Sequence, residues 1–132
     1  MRIKYRSNGE RDLAEFMICN KVLHEYEPVK VPYTLPVTKH NYTPDFCIYC
    51  EDGREILIEY KGRHRFGGLD KETRTKMIAV KEQHPELDIR LVFDRPGNKI
   101  GKSPKSKTWE QWADEQHYIY AHKTIPLSWL YV

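Results

Sequence analysis

Two short segments of the chain carry side chains suited to cutting phosphodiester bonds. Pro44-Asp45 lies one hairpin upstream of Glu59-Tyr60-Lys61. Alternate side chains of a β-strand share a face, so Glu59 and Lys61 point together and Tyr60 points away. Two carboxylates that meet beside a backbone carbonyl form an all-oxygen site that suits a hard cation such as Mg²⁺. Lys61 can orient an attacking water or help to deprotonate it, so the pattern is typical of a metal-dependent nuclease site.

A glutamate and a lysine one residue apart are a weak signal alone, because such a pair more often forms a surface ion pair. Two features favour the functional interpretation. Asp45 lies on the adjoining strand, and the apolar run Ile56-Leu57-Ile58 leads directly into Glu59. Charges at the end of a buried strand are costly unless they are paired or bind a metal. We therefore take Asp45, Glu59 and Lys61 as candidate catalytic residues, the two carboxylates being candidate metal ligands.

The composition predicts a single polar domain. The chain has 132 residues, of which 39% are hydrophobic and 31% charged, with a formal net charge of +3. This length predicts one domain spanning 1–132. No apolar run approaches the roughly 20 residues of a membrane span, and the N-terminus lacks the apolar core of a secretory signal. We expect an intracellular protein that does not contact membranes.

The three cysteines favour a reducing compartment over a disulfide framework. Cys47-Ile48-Tyr49-Cys50 has the C-x-x-C spacing of zinc and redox motifs, but zinc needs four ligands and no second such pair is present. Strand alternation would send the two thiols to opposite faces. We interpret them as one buried thiol and one thiol near a turn.

The N-terminal part predicts a helix followed by an extended bridge. The helix covers residues 8–25, and Ser7 with Glu10 matches the capping box that opens such helices. Its apolar stripe consists of Leu13, Phe16, Met17, Val22 and Leu23. Residues 27–36 are rich in proline, which confines the segment to a sheet edge or to a bridge between two bodies.

Hydrophobic periodicity and turn residues predict the remaining elements. In chain order they are a turn at 38–41, a strand at 45–49, a hairpin turn at 51–53, a strand at 55–61, a helix from Asp70 to about 84, a strand at 88–94, a helix from 109 to about 116, a strand at 118–121 and a terminal turn at 126–132. The strand at 88–94 follows that at 55–61 through a helix, so we expect the two to run parallel. This order predicts an α/β fold with a mixed central sheet flanked by helices.

Basic residues cluster after the candidate site and predict contacts with phosphates. The segment 62–68 is basic and glycine-rich, and the loop 95–107 is rich in lysine, serine and glycine. A charge run of this kind is also typical of an ordinary solvated face. The candidate DNA-binding residues are Arg63, Arg65, Lys71, Arg74, Lys99, Lys102 and Lys105.

Four segments together resemble the bacteriophage endonuclease I family. They are K-V-P-Y at 30–33, H-x-Y-T-P-D-F at 40–46, E-x-K-G at 59–62 and E-Q-H-P-E-L-D-I-R at 82–90. That family comprises Holliday-junction resolving enzymes of the PD-(D/E)xK nuclease superfamily, and the resemblance covers nearly the whole chain. It implies a restriction-endonuclease-like fold and a homodimer whose N-terminal helices are exchanged across the bridge.

The resemblance also implies properties of the site. Glu10 would be a fourth catalytic residue, contributed in trans to Asp45, Glu59 and Lys61 of the partner. Asp45 and Glu59 would hold one Mg²⁺, a second ion would involve Glu10, and Mn²⁺ would substitute. The implied substrates are branched DNA, especially four-way junctions, cut to leave 5′-phosphates in the cytoplasm of a phage host.

Two alternatives stay open at this point. The same site would serve a PD-(D/E)xK nuclease that acts on linear duplex in restriction or repair. The chain would otherwise be a non-catalytic DNA-binding module, against which the joint presence of Asp45, Glu59 and Lys61 argues. Glu10 likewise has a purely structural alternative, as the capping residue of its helix.

Overall fold

A central sheet of five strands organises the computed structural model, which describes residues 3–35, 38–62 and 69–131. These strands are β1 (Leu23–Tyr26), β4 (Phe46–Tyr49), β5 (Glu55–Lys61), β6 (Ile89–Phe93) and β7 (Tyr120–His122). A separate two-stranded sheet pairs β2 (Val31–Leu35) with β3 (Thr38–Tyr42). The described helices are α1 (Asn8–Cys19), α2 (Lys71–Gln83) and α3 (Trp109–Glu115), with a 3₁₀ turn at Leu127–Leu130.

The central sheet is mixed, as predicted. Its order is β1-β4-β5-β6-β7. The first two pairings are antiparallel, and β5–β6 and β6–β7 are parallel. The predicted βαβ crossover is thus confirmed, with α2 as its helix. Because β5, β6 and β7 run the same way, their carboxyl ends meet at one edge of the sheet.

Different elements pack on the two faces of the sheet. Alternate side chains of β5 point to opposite faces and so belong to different core clusters. Ile56, Ile58 and Tyr60 pack with the apolar side of α1 on one face. Leu57 belongs to the opposite face, which is covered by α2, α3 and the β2–β3 hairpin. Glu59 and Lys61 share that second face by the same period of two. The end of β5 that carries Glu59 and Lys61 is therefore flanked by a packed layer on each face of the sheet.

The predicted helix at 8–25 is six residues too long, because α1 ends at Cys19. Lys21 adopts a left-handed backbone with φ of 57°. The Val22 N–H then donates to the Met17 carbonyl at 2.8 Å, which closes the helix. The chain leaves as β1, which pairs with β4. Leu23 is consequently 68% exposed instead of lying on a buried helical stripe.

The predicted turn at 38–41 is also wrong, since these residues belong to β3, which pairs with β2 as a hairpin. Residues 36–37, which join the two strands, lie outside the described residues. Gln83 at the end of α2 binds the edge of the hairpin: its side chain donates to the Thr34 carbonyl at 2.6 Å and accepts from the Thr34 N–H at 2.7 Å. The proline-rich segment thus forms a second small sheet against α2, while 27–30 stays as the connection from β1.

Most other boundaries follow the predictions. Asp70 caps α2 through the Thr73 N–H at 2.8 Å, and Thr108 with Gln111 forms a complete capping box on α3. The last strand starts two residues later than predicted. The Tyr118 N–H first donates to the Ala113 carbonyl at the end of α3, so pairing with β6 begins at Tyr120.

Cys47 and Cys50 lie on opposite faces of the sheet, as strand alternation predicts. Both thiols are buried and free. Burial raises the pKa of each thiol, which keeps them protonated. This supports their interpretation as core residues. Within the described ranges, none of the helices has the length and apolar character needed to cross a membrane.

A carboxylate-lined cleft as the candidate active site

An open cleft of about 750 Å³ lies where the start of α1 meets the end of β5. Its walls bring Glu10, Asp45, Glu59 and Lys61 together from three separate places in the sequence, because Glu59 and Lys61 share β5. Among the residues that the structure describes, the lining consists of Arg6, Ser7, Asn8, Gly9, Glu10, Asp12, Thr43, Asp45, Glu59, Tyr60, Lys61, Gly62, Lys76 and Asp94. All four predicted catalytic residues therefore face one cavity of a single chain.

Asp45 precedes β4, and only 2% of its surface is exposed. Its Oδ2 accepts the backbone N–H of Tyr60 at 2.8 Å, which ties it to β5. Its Oδ1 accepts from Nη2 of Arg6 at 2.6 Å. The strand thus fixes one oxygen through a backbone donor, and a side chain from outside the sheet occupies the other.

Glu59 is held from both sides at the end of β5. Its Oε1 accepts from the Tyr42 hydroxyl at 2.9 Å, and its Oε2 pairs with Nζ of Lys61 at 2.9 Å. Burial alone would lower the pKa of Lys61, but the charge and hydrogen bond of Glu59 raise it above the ordinary lysine value. Burial and the same carboxylate keep the pKa of Tyr42 well above its usual range. Both groups therefore stay protonated at neutral pH and donate hydrogen bonds to Glu59.

Glu10 sits in the first turn of α1 and is also buried. The Ser7 hydroxyl caps the helix by accepting the Glu10 N–H at 3.1 Å, so the predicted N-cap is confirmed. The Glu10 carboxylate is hydrogen-bonded at both oxygens: the Tyr26 hydroxyl donates to Oε1 at 2.6 Å and the Ser7 hydroxyl to Oε2 at 3.3 Å. Burial and Glu10 raise the pKa of Tyr26 to about 12. The Glu10 side chain thus points into the cleft. It does not reach back to the Ser7 backbone N–H, as a complete capping box would require.

A glycine lets α1 approach β5 closely enough to build this cleft. A Cβ placed on Gly9 would lie 2.0 Å from the hydroxyl of Tyr60. That hydroxyl donates to Asp94 at 3.0 Å, so the ring is anchored at its far end. Any larger residue at position 9 would push the helix from the strand. Glu10, which follows, is therefore placed by contact between a glycine and an aromatic ring.

Three carboxyl groups, those of Glu10, Asp45 and Glu59, are buried side chains that meet in the cleft. Burial, followed by repulsion from Glu59 and Glu10, raises the pKa of Asp45 to about 8. Tyr60 and Arg6 offset only part of this rise. Within the described residues, no three His, Cys, Asp or Glu side chains already stand in a metal-binding arrangement. The donor set is nonetheless all oxygen and short of positive charge, which fits a hard divalent cation.

The whole chain matches one known protein family. The family model described as Phage endonuclease I matches residues 1–132. The chain belongs to the phage endonuclease I family. The predicted resemblance is thereby confirmed over the full length.

Individual relatives agree with the family assignment. The chain is 35% identical over 127 residues to the protein named Endonuclease I of Escherichia phage T7, covering 96% of this chain and 78% of that protein. It is also 35% identical over 125 residues to the protein named Endodeoxyribonuclease 1 of Enterobacteria phage T3, covering 94% and 75%. The four catalytic candidates are thus found in a family with nuclease-named members.

One solved structure resembles the fold at low sequence identity. The crystal structure of a protein of unknown function, AF1548, superposes with a TM-score of 0.50 at 13% identity. The match covers 92% of this chain and 57% of that one, so this chain spans little more than half of its length. At this identity the likeness concerns the fold alone.

The five predicted DNA-binding residues that the structure describes fall outside the cleft lining. Lys71 is exposed at the start of α2, and Arg74 is half-buried with its Nε donating to the Leu69 carbonyl at 3.2 Å. Lys99, Lys102 and Lys105 are exposed in the loop between β6 and α3. Arg63 and Arg65, with most of the predicted basic segment 62–68, lie outside the described residues.

Several residues that line the cleft or hold its carboxylates were not predicted from the sequence. Arg6 and Tyr26 contact carboxylates that lie 39 and 16 positions away from them. Tyr42 reaches Glu59 across 17 positions, and Lys76 lines the cleft from α2 with its Nζ 5.6 Å from the centre of the Tyr42 ring. Arg6 and Tyr42 both lie beside the motifs that signalled the site. Their closeness in sequence to those motifs was the one available sign of a role in the site. It does not show which carboxylate each side chain contacts.

Proposed function

We propose that this chain is a metal-dependent, structure-selective endodeoxyribonuclease that cuts branched DNA, above all four-way junctions, and leaves 5′-phosphates. The observation that carries the proposal is the cleft in which buried Asp45 and Glu59 lie beside Lys61. The names of the T7 and T3 relatives support a DNA endonuclease. Such a phage enzyme would meet its substrate in the host cytoplasm.

Asp45, Glu59 and Glu10 are the residues that would hold the cation. We propose one or two Mg²⁺ per site, with Mn²⁺ as a substitute. When bound, such an ion supplies positive charge that offsets the phosphate and makes water a stronger acid. Tyr42 and the Tyr60 N–H each hold one carboxylate oxygen in place, so the other oxygens of Glu59 and Asp45 can turn to the cation.

Lys61 serves as an ammonium donor in this proposal. Its side chain is 15% exposed and points into the cleft, so it can donate to the attacking water or to a phosphate oxygen. Because Glu59 raises the pKa of Lys61, the group carries a proton instead of accepting one from water. The arrangement of Pro44-Asp45 with Glu59-Tyr60-Lys61 is the one that defines PD-(D/E)xK sites, to which we assign it.

We further propose that the active form is a homodimer that exchanges α1 and β1. In one chain these elements pack on their own sheet, and the connection 27–30 that follows β1 is largely exposed. An exchanged dimer would use the same contacts between two chains, with 27–30 as the hinge. Glu10 would then complete the site of the partner. Exchange would also hold the two active sites of the dimer at a fixed distance. A four-way junction could fit this spacing through the arrangement of its arms.

Recognition of branched DNA would then rest on phosphates instead of bases. Lys71, Arg74, Lys99, Lys102 and Lys105 are the proposed backbone contacts, together with Arg63 and Arg65. Phosphate contacts position a protein without reading sequence. Little sequence preference and a steep loss of binding with added salt are therefore expected.

The test compares a labelled four-way junction with a linear duplex of the same sequence, with Mg²⁺ and with a chelator. Paired nicks near the branch point, only with Mg²⁺ and only on the junction, would support the proposal. Equal cutting of both DNAs would favour a linear-duplex nuclease. Binding without cutting would favour a non-catalytic module. Asp45→Asn should abolish cutting, whereas the exposed control Asp52→Asn in the hairpin turn should leave it unchanged.

Subunit complementation tests the exchange separately. Co-expressed Glu10→Ala and Asp45→Asn chains should recover cutting, because an exchanged heterodimer contains one site with neither change. Heterodimers that stay inactive, while the wild-type homodimer is active under the same conditions, would rule out the exchange. The nuclease proposal itself would survive that result, since α1 of each chain would then complete its own site.

A further inference from the structure

Arg6 bridges two carboxylates at the mouth of the cleft. Its Nη2 lies 2.6 Å from Oδ1 of Asp45, and its Nε lies 2.7 Å from Oε2 of Glu27. The Arg6 side chain is 62% exposed, whereas that of Asp45 is 2% exposed. An exposed guanidinium thus supplies the positive charge for a buried carboxylate.

This contact occupies the oxygen that a metal ion needs. Oδ2 of Asp45 is already engaged by the Tyr60 N–H at 2.8 Å, so Oδ1 is the oxygen left for a cation. A Mg²⁺ ion would sit about 2.1 Å from that oxygen. A guanidinium 2.6 Å from the same oxygen would then lie close to a doubly charged ion, and the like charges would repel.

We propose that Arg6 pairs with Asp45 in the metal-free protein, releases that carboxylate when a divalent metal ion binds, and then contacts a DNA phosphate. This inference rests on the proposed nuclease function. In the metal-free protein, Arg6 is the positively charged partner of the buried Asp45 carboxyl group. When a divalent ion takes Oδ1, the guanidinium leaves that oxygen while its Nε can keep Glu27.

The position of Arg6 suits both states. Because the side chain is exposed and comes from the segment before α1, it can move without disturbing the sheet. Its freed Nη donors would stay at the mouth of the cleft, where the DNA backbone has to enter. A planar guanidinium binds phosphate through paired hydrogen bonds, so the displaced group has a ready acceptor. Lys61 differs because it is nearly buried and held by Glu59.

Calorimetric titration with MnCl₂ in the absence of DNA tests the competition. Arg6→Gln should bind Mn²⁺ about tenfold more tightly than the wild type, because the ion no longer has to displace a cation. Arg11→Gln is the matched control. Arg11 is an exposed arginine of α1 whose ion pairs are with Asp12 and Glu15 on the surface. It should leave Mn²⁺ affinity unchanged.

Single-turnover cutting at saturating Mn²⁺ tests the phosphate contact. Arg6→Gln should cut at least about tenfold more slowly than the wild type despite its tighter metal binding. Opposite changes in metal affinity and cutting rate are not expected of a residue that only stabilises the fold. Equal or weaker Mn²⁺ binding by a folded Arg6→Gln would overturn the inference.

A measurement on the wild-type protein covers the case in which Arg6→Gln fails to fold. The ¹⁵N side-chain signal of Arg6 Nε should shift on addition of Mg²⁺, while the Arg11 signal should not. A wild type that binds Mg²⁺ with an unchanged Arg6 signal would overturn the inference but leave the nuclease proposal intact. A wild type that binds no divalent ion would overturn both.

Discussion

At one end of the cleft Glu59 pairs with Lys61, and at the other end Asp45 pairs with Arg6. The first pair lies on one strand, two residues apart, and the Lys61 side chain is 15% exposed. The second pair joins distant parts of the chain, and the Arg6 side chain is 62% exposed. Strand geometry therefore fixes one positive charge in the cleft, and tertiary packing supplies a second, which is the one that we propose a metal replaces.

The comparison separates two kinds of electrostatic support. A buried ion pair that loses one member leaves an uncompensated charge, which is strongly destabilising. An exposed partner can be exchanged for another cation at little cost, because water already solvates it. The Lys61 end should thus be intolerant of change, and the Asp45 end should respond to metal and pH.

The largest effect is expected at the fixed end. Lys61→Met should lower the single-turnover rate of junction cutting about a thousandfold, because both Glu59 and the attacking water lose an ammonium donor. The exposed lysine in Lys21→Met is a control for the charge change. A single-turnover rate for Lys61→Met within about tenfold of the wild-type rate would contradict this distinction between the two ends of the cleft.

Next in size is the pH response of the Asp45 end. The pKa of Asp45 rises from an ordinary 3.8 to about 8, so the folded state holds the proton more tightly than the unfolded state. The metal-free protein should therefore lose stability as pH rises between these values, by on the order of 5 kcal/mol at most. Thermal unfolding with chelator should show a falling Tm that Asp45→Asn flattens.

Added metal gives the control for this pH response. Mn²⁺ should restore the Tm of the wild type at about pH 8, because it replaces the proton on Asp45. The same ion should have little effect on Asp45→Asn. A wild-type Tm that rises with pH in chelator would contradict the assignment of a raised pKa to this carboxyl.

A smaller effect on cutting is expected when Oε1 of Glu59 loses its hydrogen bond from Tyr42. Tyr42→Phe removes the hydroxyl that donates to Oε1 and should cost about 1–3 kcal/mol of stability. Cutting should slow about tenfold, since Glu59 is then less firmly held. Tyr118→Phe is the matched control: its buried hydroxyl donates to the Met77 carbonyl at 2.7 Å, outside the cleft lining. It should lower stability without a comparable loss of cutting.

The smallest single effects are expected beyond the cleft. Each of Lys99→Gln, Lys102→Gln and Lys105→Gln should reduce the slope of log K against log salt by about one if the lysine contacts a phosphate. Junction binding should weaken only a few-fold per change. A slope equal to that of Lys21→Gln would assign the lysine to an ordinary solvated surface.

Local patterns predicted much of the fold correctly. The strand at Glu55–Lys61, the caps at Ser7, Asp70 and Thr108, and the parallel pairing of β5 with β6 all agree with the structure. These features depend on neighbouring residues or on a short crossover. The error at 20–25 arose where a helical pattern competed with pairing of β1 to the distant strand β4, which local sequence does not report. The error at 38–41 is local, because these residues pair with β2 in a hairpin instead of forming the turn themselves.

The sequence by itself determined which residue types could do chemistry and which of them share a face. Strand alternation places Glu59 with Lys61, and the hairpin brings Asp45 beside them, whatever surrounds the sheet. Only the tertiary structure decided that Gly9 packs on Tyr60, that Glu10 thereby enters the same cleft, and that Arg6 reaches Asp45. The physical reason is range: backbone periodicity acts over a few residues, whereas these contacts depend on how helix and sheet pack.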